Sequence, residues 1–511
     1  MNLRKWWNMI ALLALTAALV AGCKWPGSDA GSSTTPKPIP SVSMDPTKPD
    51  IVVIGSEVEG MYLARAARDE GKSVLVLDPR EKPGGQLIQG QMIFLDEPQD
   101  DSGKSLVQGR VKLLFDDFKS GKIRKPAEYQ AYFNKLMEGI PIESGIKLTD
   151  IQIDTSGGSK KRIGQLKYKT KDGQEKTVHA GYYVENSDFA ALTSRLGLPR
   201  IPGIETALGL PKPDRMASTI MMMFKNVDWD AFKDGVYKLG KREIVEHYGD
   251  TTTVTNATTW GFGNVGSRYT PSDPELFLRG LNTINLKDGQ AAINALLIYN
   301  VDPSNEASVK SAIERGRRET DLVLQHLRKE LPGWEKAEVN GYPEYLYVRD
   351  YDRFETEYVL QASDIMSGKM FEDNVAIAGY PIDLQGTLTH RWGYKKGDPD
   401  KYGIPLRSFI PKGYANIITA GKNVGATGAA YGSARIQPNT SLAGEVIGLI
   451  LSQLDSKTGI TEMTPEQFRT IRTYIETNYR IKLTGPDGAN KVKNWTPAQL
   501  EQLNYGTGKV D

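Results

Sequence analysis

From about Asp50 onward, apolar and polar positions fall into blocks whose periods predict successive elements. Ile51 to Ile54 form a β-branched run that ends in turn residues. Gly60 to Glu70 then carry Met61, Leu63, Ala64 and Ala67 at helical spacing, with Gly71 suited to the helix C-terminus. Ser73 to Asp78 read as a second buried strand ending in a carboxylate, which completes a β-α-β unit. Residues 105–150 alternate helical stretches with loops. Arg162 to Val184 alternate as a hairpin, with Asp172-Gly173 at the turn. Strand formers dominate residues 215–300, including Thr251 to Thr255 and Ala291 to Val301. The run Met221-Met222-Met223-Phe224 reads as a core strand. A long amphipathic helix is predicted from Glu306 to Lys329, before Pro332-Gly333. Val375 to Gly379 and Ile417 to Gly421 read as buried strands, and Ser441 to Leu454 as an apolar helix. Thr464-Pro465-Glu466-Gln467 and Thr496-Pro497-Ala498-Gln499 each have the form of a capping box with Pro at N1.

Composition narrows the function classes. The 511 residues are 39% hydrophobic, enough to bury more than one core. Lys and Arg number 64 against 62 for Asp and Glu, so no charge excess points to nucleic acid. The single cysteine, Cys23, follows Arg4-Lys5 and an apolar stretch from Met9 to Gly22, in Leu19-Val20-Ala21-Gly22-Cys23. This pattern resembles the lipobox of exported lipoproteins. Cys23 is then the lipidated N-terminus, and residues 1–23 are a signal peptide. With no second cysteine there is no disulfide or thiolate metal cluster, and any redox chemistry must come from a bound cofactor. Residues 24–49, rich in Pro, Ser and Thr, read as a tether to the membrane. The globular part is expected in the cell envelope, outside the cytoplasm.

The β-α-β unit carries a phosphate-binding pattern. A helix N-terminus offers unpaired N–H groups and a positive dipole to a pyrophosphate, and glycine lets the backbone come close. In Ile51-Val52-Val53-Ile54-Gly55-Ser56-Glu57-Val58-Glu59-Gly60, Gly55 makes the turn and Gly60 allows close helix–strand packing. Glu57 stands where the middle glycine of G-x-G-x-x-G belongs. Asp78, 23 positions after Gly55, is placed to accept hydrogen bonds from a ribose.

After Asp78 comes Pro79-Arg80-Glu81-Lys82-Pro83-Gly84-Gly85-Gln86, a glycine pair following the ribose-binding acid. Further on stand Leu346-Tyr347-Val348-Arg349-Asp350-Tyr351-Asp352-Arg353, Gly379-Tyr380-Pro381-Ile382-Asp383, Ile404-Pro405-Leu406-Arg407-Ser408-Phe409-Ile410-Pro411 and Gly432-Ser433-Ala434-Arg435-Ile436-Gln437-Pro438. In these segments the chain resembles the FAD-dependent oxidoreductases with a glutathione-reductase-type FAD domain, from Asp50 to about Leu454. The resemblance implies an α/β fold. A Rossmann-like FAD/NAD(P)-binding domain, built from residues 50–205 and 370–455, would hold an inserted strand-rich α+β substrate domain (206–369), with a helical tail over 456–511. It implies FAD as cofactor, held by Gly55, Ser56, Glu57, Gly60, Asp78, Pro79, Arg80, Gly84, Gly85 and Gln86. The returning strand would add Gly421, Lys422 and Asn423, and the following helix start Pro438, Asn439, Thr440 and Ser441. Family members often tolerate a side chain at the middle-glycine position, so Glu57 is expected to point outward.

Histidines common in the family are replaced by Gln385, Gly428 and Tyr431. His390 and Tyr431 remain as acid–base candidates, and Arg435 could place positive charge near flavin or a substrate anion. No metal site is expected. The function implied is hydride transfer from a small-molecule substrate to flavin N5, and on to oxygen, a quinone or another acceptor. The alternative is a surface-anchored binding protein that keeps the fold and has lost flavin or turnover, motivated by Glu57 and the missing histidines.

Overall fold

The computed structural model describes residues 44–156, 159–455, 457–485 and 487–510. The signal segment, Cys23 and most of the tether lie outside the described residues. A five-stranded parallel sheet runs in the order Ile417–Thr419, Tyr182–Glu185, β1 (Ile51–Ile54), β2 (Val74–Asp78) and Ile142–Ser144. Every residue of β1 and β2 is buried, as expected of parallel strands covered on both faces. Helix α1 (Val58–Asp69) connects them. The returning helix, Gln437–Gln453, packs on α1 closely enough that a Cβ on Gly444 or Gly448 would lie 2.3 Å from the carbonyl oxygen of Glu59 or Leu63. This contact sets the first half of α1 against the middle of the returning helix.

The expected hairpin is present but shorter. Arg162–Lys169 pairs antiparallel with Glu175–Val178 around Gly173, which has φ +86°. The next run, Tyr182–Glu185, is instead a strand of the parallel sheet, pairing with β1. Its four consecutive buried residues suit a strand covered on both faces better than a half-exposed hairpin arm.

The second sheet has six antiparallel strands in the order Thr253–Val254, Thr258–Trp260, Leu276–Lys287, Gln290–Ile298, Ser218–Lys225 and Glu338–Val339. The methionine run lies in its fifth strand. Met222 and Phe224 face a core shared with Val323 and Leu327 of the helix Glu306–Glu330, whereas Met221 and Met223 join the core of the parallel sheet. One face of this sheet is therefore turned toward the nucleotide-binding half. Both C-terminal helices, Pro465–Tyr479 and Pro497–Tyr505, have the expected capping boxes and bury Phe468, Ile475 and Leu503. Among the described residues no helix is long and apolar enough to cross a membrane.

Candidate functional site

The turn after β1 lies at the carboxyl edge of the parallel sheet, where open α/β sheets bind their ligands. Gly55 adopts φ +93°, which glycine reaches without strain. Asn186, just beyond the strand Tyr182–Glu185, staples the turn. Its Oδ1 accepts from the Gly60 N–H at 3.0 Å, and its Nδ2 donates to the carbonyls of Gly55 and Glu57 at 3.1 and 2.8 Å. A Cβ on Gly60 would stand 2.2 Å from the Asn186 side chain, so Gly60 makes room for this side chain as well as for the turn. In the sequence, only its place after an apolar run could have pointed to Asn186.

Ser56 connects the turn to the ribose position. Its hydroxyl donates to the Asp78 carboxylate and accepts from the Gly84 N–H at 2.7 Å. Asp78 also accepts from the Arg80 N–H at 2.9 Å. Burial pushes its carboxyl up to about 6, against the pull of these hydrogen bonds. Pro79 and Arg80 line a groove of about 800 Å³ together with Gly85, Phe189 and Tyr345. The Arg80 guanidinium lies 4.4 and 4.6 Å from the Phe189 and Tyr345 rings and pairs with Asp188 at 3.0 Å.

Glu57 does not point outward. It is 5% exposed, and its carboxyl group fills the space beside Gly85, where an added Cβ would meet it at 2.5 Å. It accepts from the Gln86 N–H at 3.2 Å and stands 3.9 Å from Lys422 Nζ. The expectation failed because the partners that draw the side chain inward, the Gly84-Gly85 turn and Lys422, come from distant parts of the chain. Burial pushes the Glu57 carboxyl up to about 8, opposed by Lys422 and reinforced by Asp188 and Glu59. Glu59 is buried with both carboxylate oxygens unpartnered, and burial raises it as well.

Gly421, Lys422 and Asn423 follow the returning strand. Lys422 donates to Gln86 Oε1 at 2.8 Å and to the Val348 carbonyl at 2.7 Å, and Asn423 donates to the Ser187 carbonyl at 2.8 Å. The returning helix starts at Gln437 with Pro438 in its first turn and no side-chain cap. Asn439 Oδ1, Ser441 Oγ and the nearby Thr419 Oγ1 are buried without hydrogen-bond partners, whereas Thr440 bonds back to the Ile436 carbonyl.

The three catalytic candidates are placed differently. Tyr431 is 1% exposed, donates to the Arg349 carbonyl at 3.1 Å and lies under the Arg353 guanidinium at 3.6 Å; burial holds its phenol above the usual range. Arg435 donates to the Tyr347 hydroxyl at 3.0 Å and stands 3.6 Å from Asp383. His390 is exposed on a loop, where its ring reaches only the Thr389 hydroxyl at 3.4 Å. Arg279, Tyr347 and Arg349 also gather around Arg435; Tyr347 and Arg349 stand in a segment that carries the resemblance without being site candidates, and Arg279 did not stand out in the sequence. Tyr347 and Arg349 share one segment, bridged to Thr219 of the strand Ser218–Lys225, whereas Arg279 comes from the strand Leu276–Lys287 of the same sheet. Among the described residues no group of three or more His, Cys, Asp or Glu side chains is placed to hold a metal ion.

These residues fit FAD at both ends of the cleft. One end has Asp78 and the Gly84-Gly85 turn; the other has a helix N-terminus with the unpartnered Asn439 Oδ1 and Ser441 Oγ. Between them, the Glu57 carboxyl packs beside Gly85 in the glycine turn, the part of the motif that meets a pyrophosphate.

A parallel sheet with a glycine turn, an acid at the tip of its second strand and a returning helix over the same edge defines a dinucleotide-binding oxidoreductase fold. More narrowly, the chain belongs to the FAD dependent oxidoreductase family, whose model matches residues 50–471, and its cofactor is FAD. It is similar to a geranylgeranyl bacteriochlorophyll reductase-like protein from Thermoplasma acidophilum (12% identity over 84% of each chain, TM-score 0.38). It is also similar to the flavin-dependent brominase Bmp2 (14%, 84% of this chain and 83% of that, TM-score 0.39). The myxobacterial chondrochloren halogenase CndH is a third likeness (13%, 89% of each chain, TM-score 0.37). These likenesses are too distant to bear on substrate. No curated protein matches the chain.

Proposed function

We propose that this protein is a lipid-anchored, cell-envelope oxidoreductase with a glutathione-reductase-type FAD domain. It oxidises a small substrate by two electrons and passes them to an external acceptor. The observation that carries this reading is the pairing of Asp78 and Ser56 at the sheet edge with a returning helix whose N-terminal polar atoms are unpartnered. When bound, FAD supplies the hydride acceptor. Arg435 places a fixed positive charge one residue before the helix N-cap, Ile436, where negative charge develops on reduction. Tyr431, buried and held protonated, orients the Arg349 backbone through its hydrogen bond. The lipid on Cys23 and the tether would keep the fold at the membrane surface.

Glu57 beside Gly85 favours a second reading, a binding protein that has lost flavin or turnover. Anaerobic mixing of the FAD-loaded protein with a panel of alcohols, amines and organic acids separates the two. Bleaching of the flavin bands by one of them supports the oxidoreductase, and full flavin loading with no bleaching by any favours the binding protein.

A further inference from the structure

The face of the antiparallel sheet turned toward the nucleotide-binding half gathers positive charge that the described residues pair only in part. Arg279, on the strand Leu276–Lys287, is half-buried; it donates to Gln385 Oε1 and, at 3.2 Å, to the Asn294 carbonyl. Arg349 is 2% exposed, donates to the Ala217 carbonyl and to Thr219 Oγ1, and lies 4.4 Å over the Tyr347 ring. Arg435, 5% exposed, reaches the hydroxyl of the same tyrosine. Among the described residues only Arg435 of these three has a carboxylate within 4 Å, Asp383. Among the described residues the other nearby acid, Asp96, forms no ion pair with the group. It is hydrogen-bonded by Tyr380 at 2.9 Å, and burial pushes it toward its neutral form.

Burying a guanidinium without a counter-charge is costly, and a purely structural cluster would be expected to pair each one. Here burial above all, with Arg279 and Arg435, disfavours the charge of Arg349, against the opposing pull of Tyr347 and Asp383. Donor capacity is also unspent: Nε of Arg279 and Nε of Arg435 have no partner, and Asn294 Oδ1, in a side chain 4% exposed, has none either. Three guanidiniums, two of them with an unpartnered Nε–H, beside an unsatisfied amide form a site short of one anion. Their planar N–H forks match a carboxylate, and the negative charge of the nearby Asp383 weighs against a doubly charged phosphate.

We propose that Arg279, Arg349 and Arg435 bind the carboxylate of the substrate, which makes the substrate a small organic acid. This rests on the oxidoreductase reading only in calling the ligand a substrate. The half-buried Arg279 is the side from which the acid enters, and Asn294 Oδ1 is placed to accept a hydrogen bond from a hydroxyl or amino group it carries.

Calorimetry on the full chain, with and without FAD, tests this with propionate, lactate and phosphate as probes. The expected result is saturable binding of propionate or lactate in preference to phosphate, weakened about tenfold or more in Arg279→Met. Arg349→Met serves as a second variant. If it fails to fold, the Arg279→Met variant and an Asn294→Leu variant, expected to weaken lactate more than propionate, carry the test. Absence of carboxylate binding, tighter binding of phosphate, or carboxylate binding unchanged in Arg279→Met would each overturn the proposal. FAD uptake without carboxylate binding sinks the acid site alone; carboxylate binding by a chain that takes up no FAD sinks the oxidoreductase reading and leaves the acid site standing.

Discussion

Replacing Glu57 by glutamine keeps its shape and removes its charge. Burial carries the wild-type carboxyl from 4.5 up to about 8, which at 1.36 kcal/mol per tenfold is about 5 kcal/mol of charging cost. The folded chain thus holds this proton up to about pH 8, whereas the unfolded chain releases it near 4.5. The stability that the raised value represents is complete below the lower figure and is lost as pH rises through the upper one. Glu57→Gln flattens that loss and is more stable than wild type in mild alkali. FAD binding follows the same group. A doubly charged pyrophosphate approaching Gly85 meets the Glu57 carboxyl, and one unit pair at about 4 Å is worth about 4 kcal/mol at an effective dielectric of about 20. FAD therefore enters with Glu57 neutral, and its Kd rises about tenfold per pH unit above about pH 8. The charged groups facing Glu57 are Lys422, Asp188 and Glu59, which set the midpoint but do not reverse the sign. Quenching of FAD fluorescence, titrated across neutral to alkaline pH, reads the slope. Glu57→Gln should show no slope, and Glu57→Gly none with tighter binding. A flat wild-type profile, or an equal slope in Glu57→Gln, refutes the reasoning.

Three further outcomes are expected. Asn186→Ala loses three hydrogen bonds and leaves buried backbone groups at the glycine turn unpaired, so urea denaturation should show a loss of about 2–4 kcal/mol. Gly444→Ala drives a methyl into the Glu59 carbonyl and should lower the melting temperature, while Gly71→Ala, whose added Cβ meets nothing, should cost only its backbone strain. Lys396, fully buried and pulled to about 8 from 10.5 by burial, makes wild-type stability rise by about 3 kcal/mol between those values as the unfolded chain alone holds the proton. The difference between wild type and Lys396→Met in urea midpoint should follow that rise and vanish if Lys396 is not the group responsible.

What could be read from the sequence was mostly local. The β-α-β unit, the turn at Gly173, the helix from Glu306 and the two capping boxes rest on periods and caps that short windows contain. Tyr182–Glu185 reads as a hairpin arm in the sequence because alternation and double-sided burial look alike over four residues. Around the site, Asp78 and the glycines were legible because their spacing is part of a motif. The direction of Glu57 was not, since it is decided by Lys422 and Gly85, brought near by the sheet order. The arginine cluster is hidden for the same reason: Arg349 and Arg435 lie in two separate segments that carry the resemblance, Arg279 lies in none, and nothing in the sequence places the three side by side.

The flavin content of the purified full chain, measured by its visible absorption before and after incubation with FAD at neutral pH, tests the central claim most directly. A chain that carries or takes up about one FAD per molecule, and loses that capacity in a Gly55→Val variant whose side chain would collide with the Asn186 backbone, is the predicted result. A folded wild-type chain that stays colourless at neutral and mildly acidic pH, where Glu57 is protonated, would contradict it.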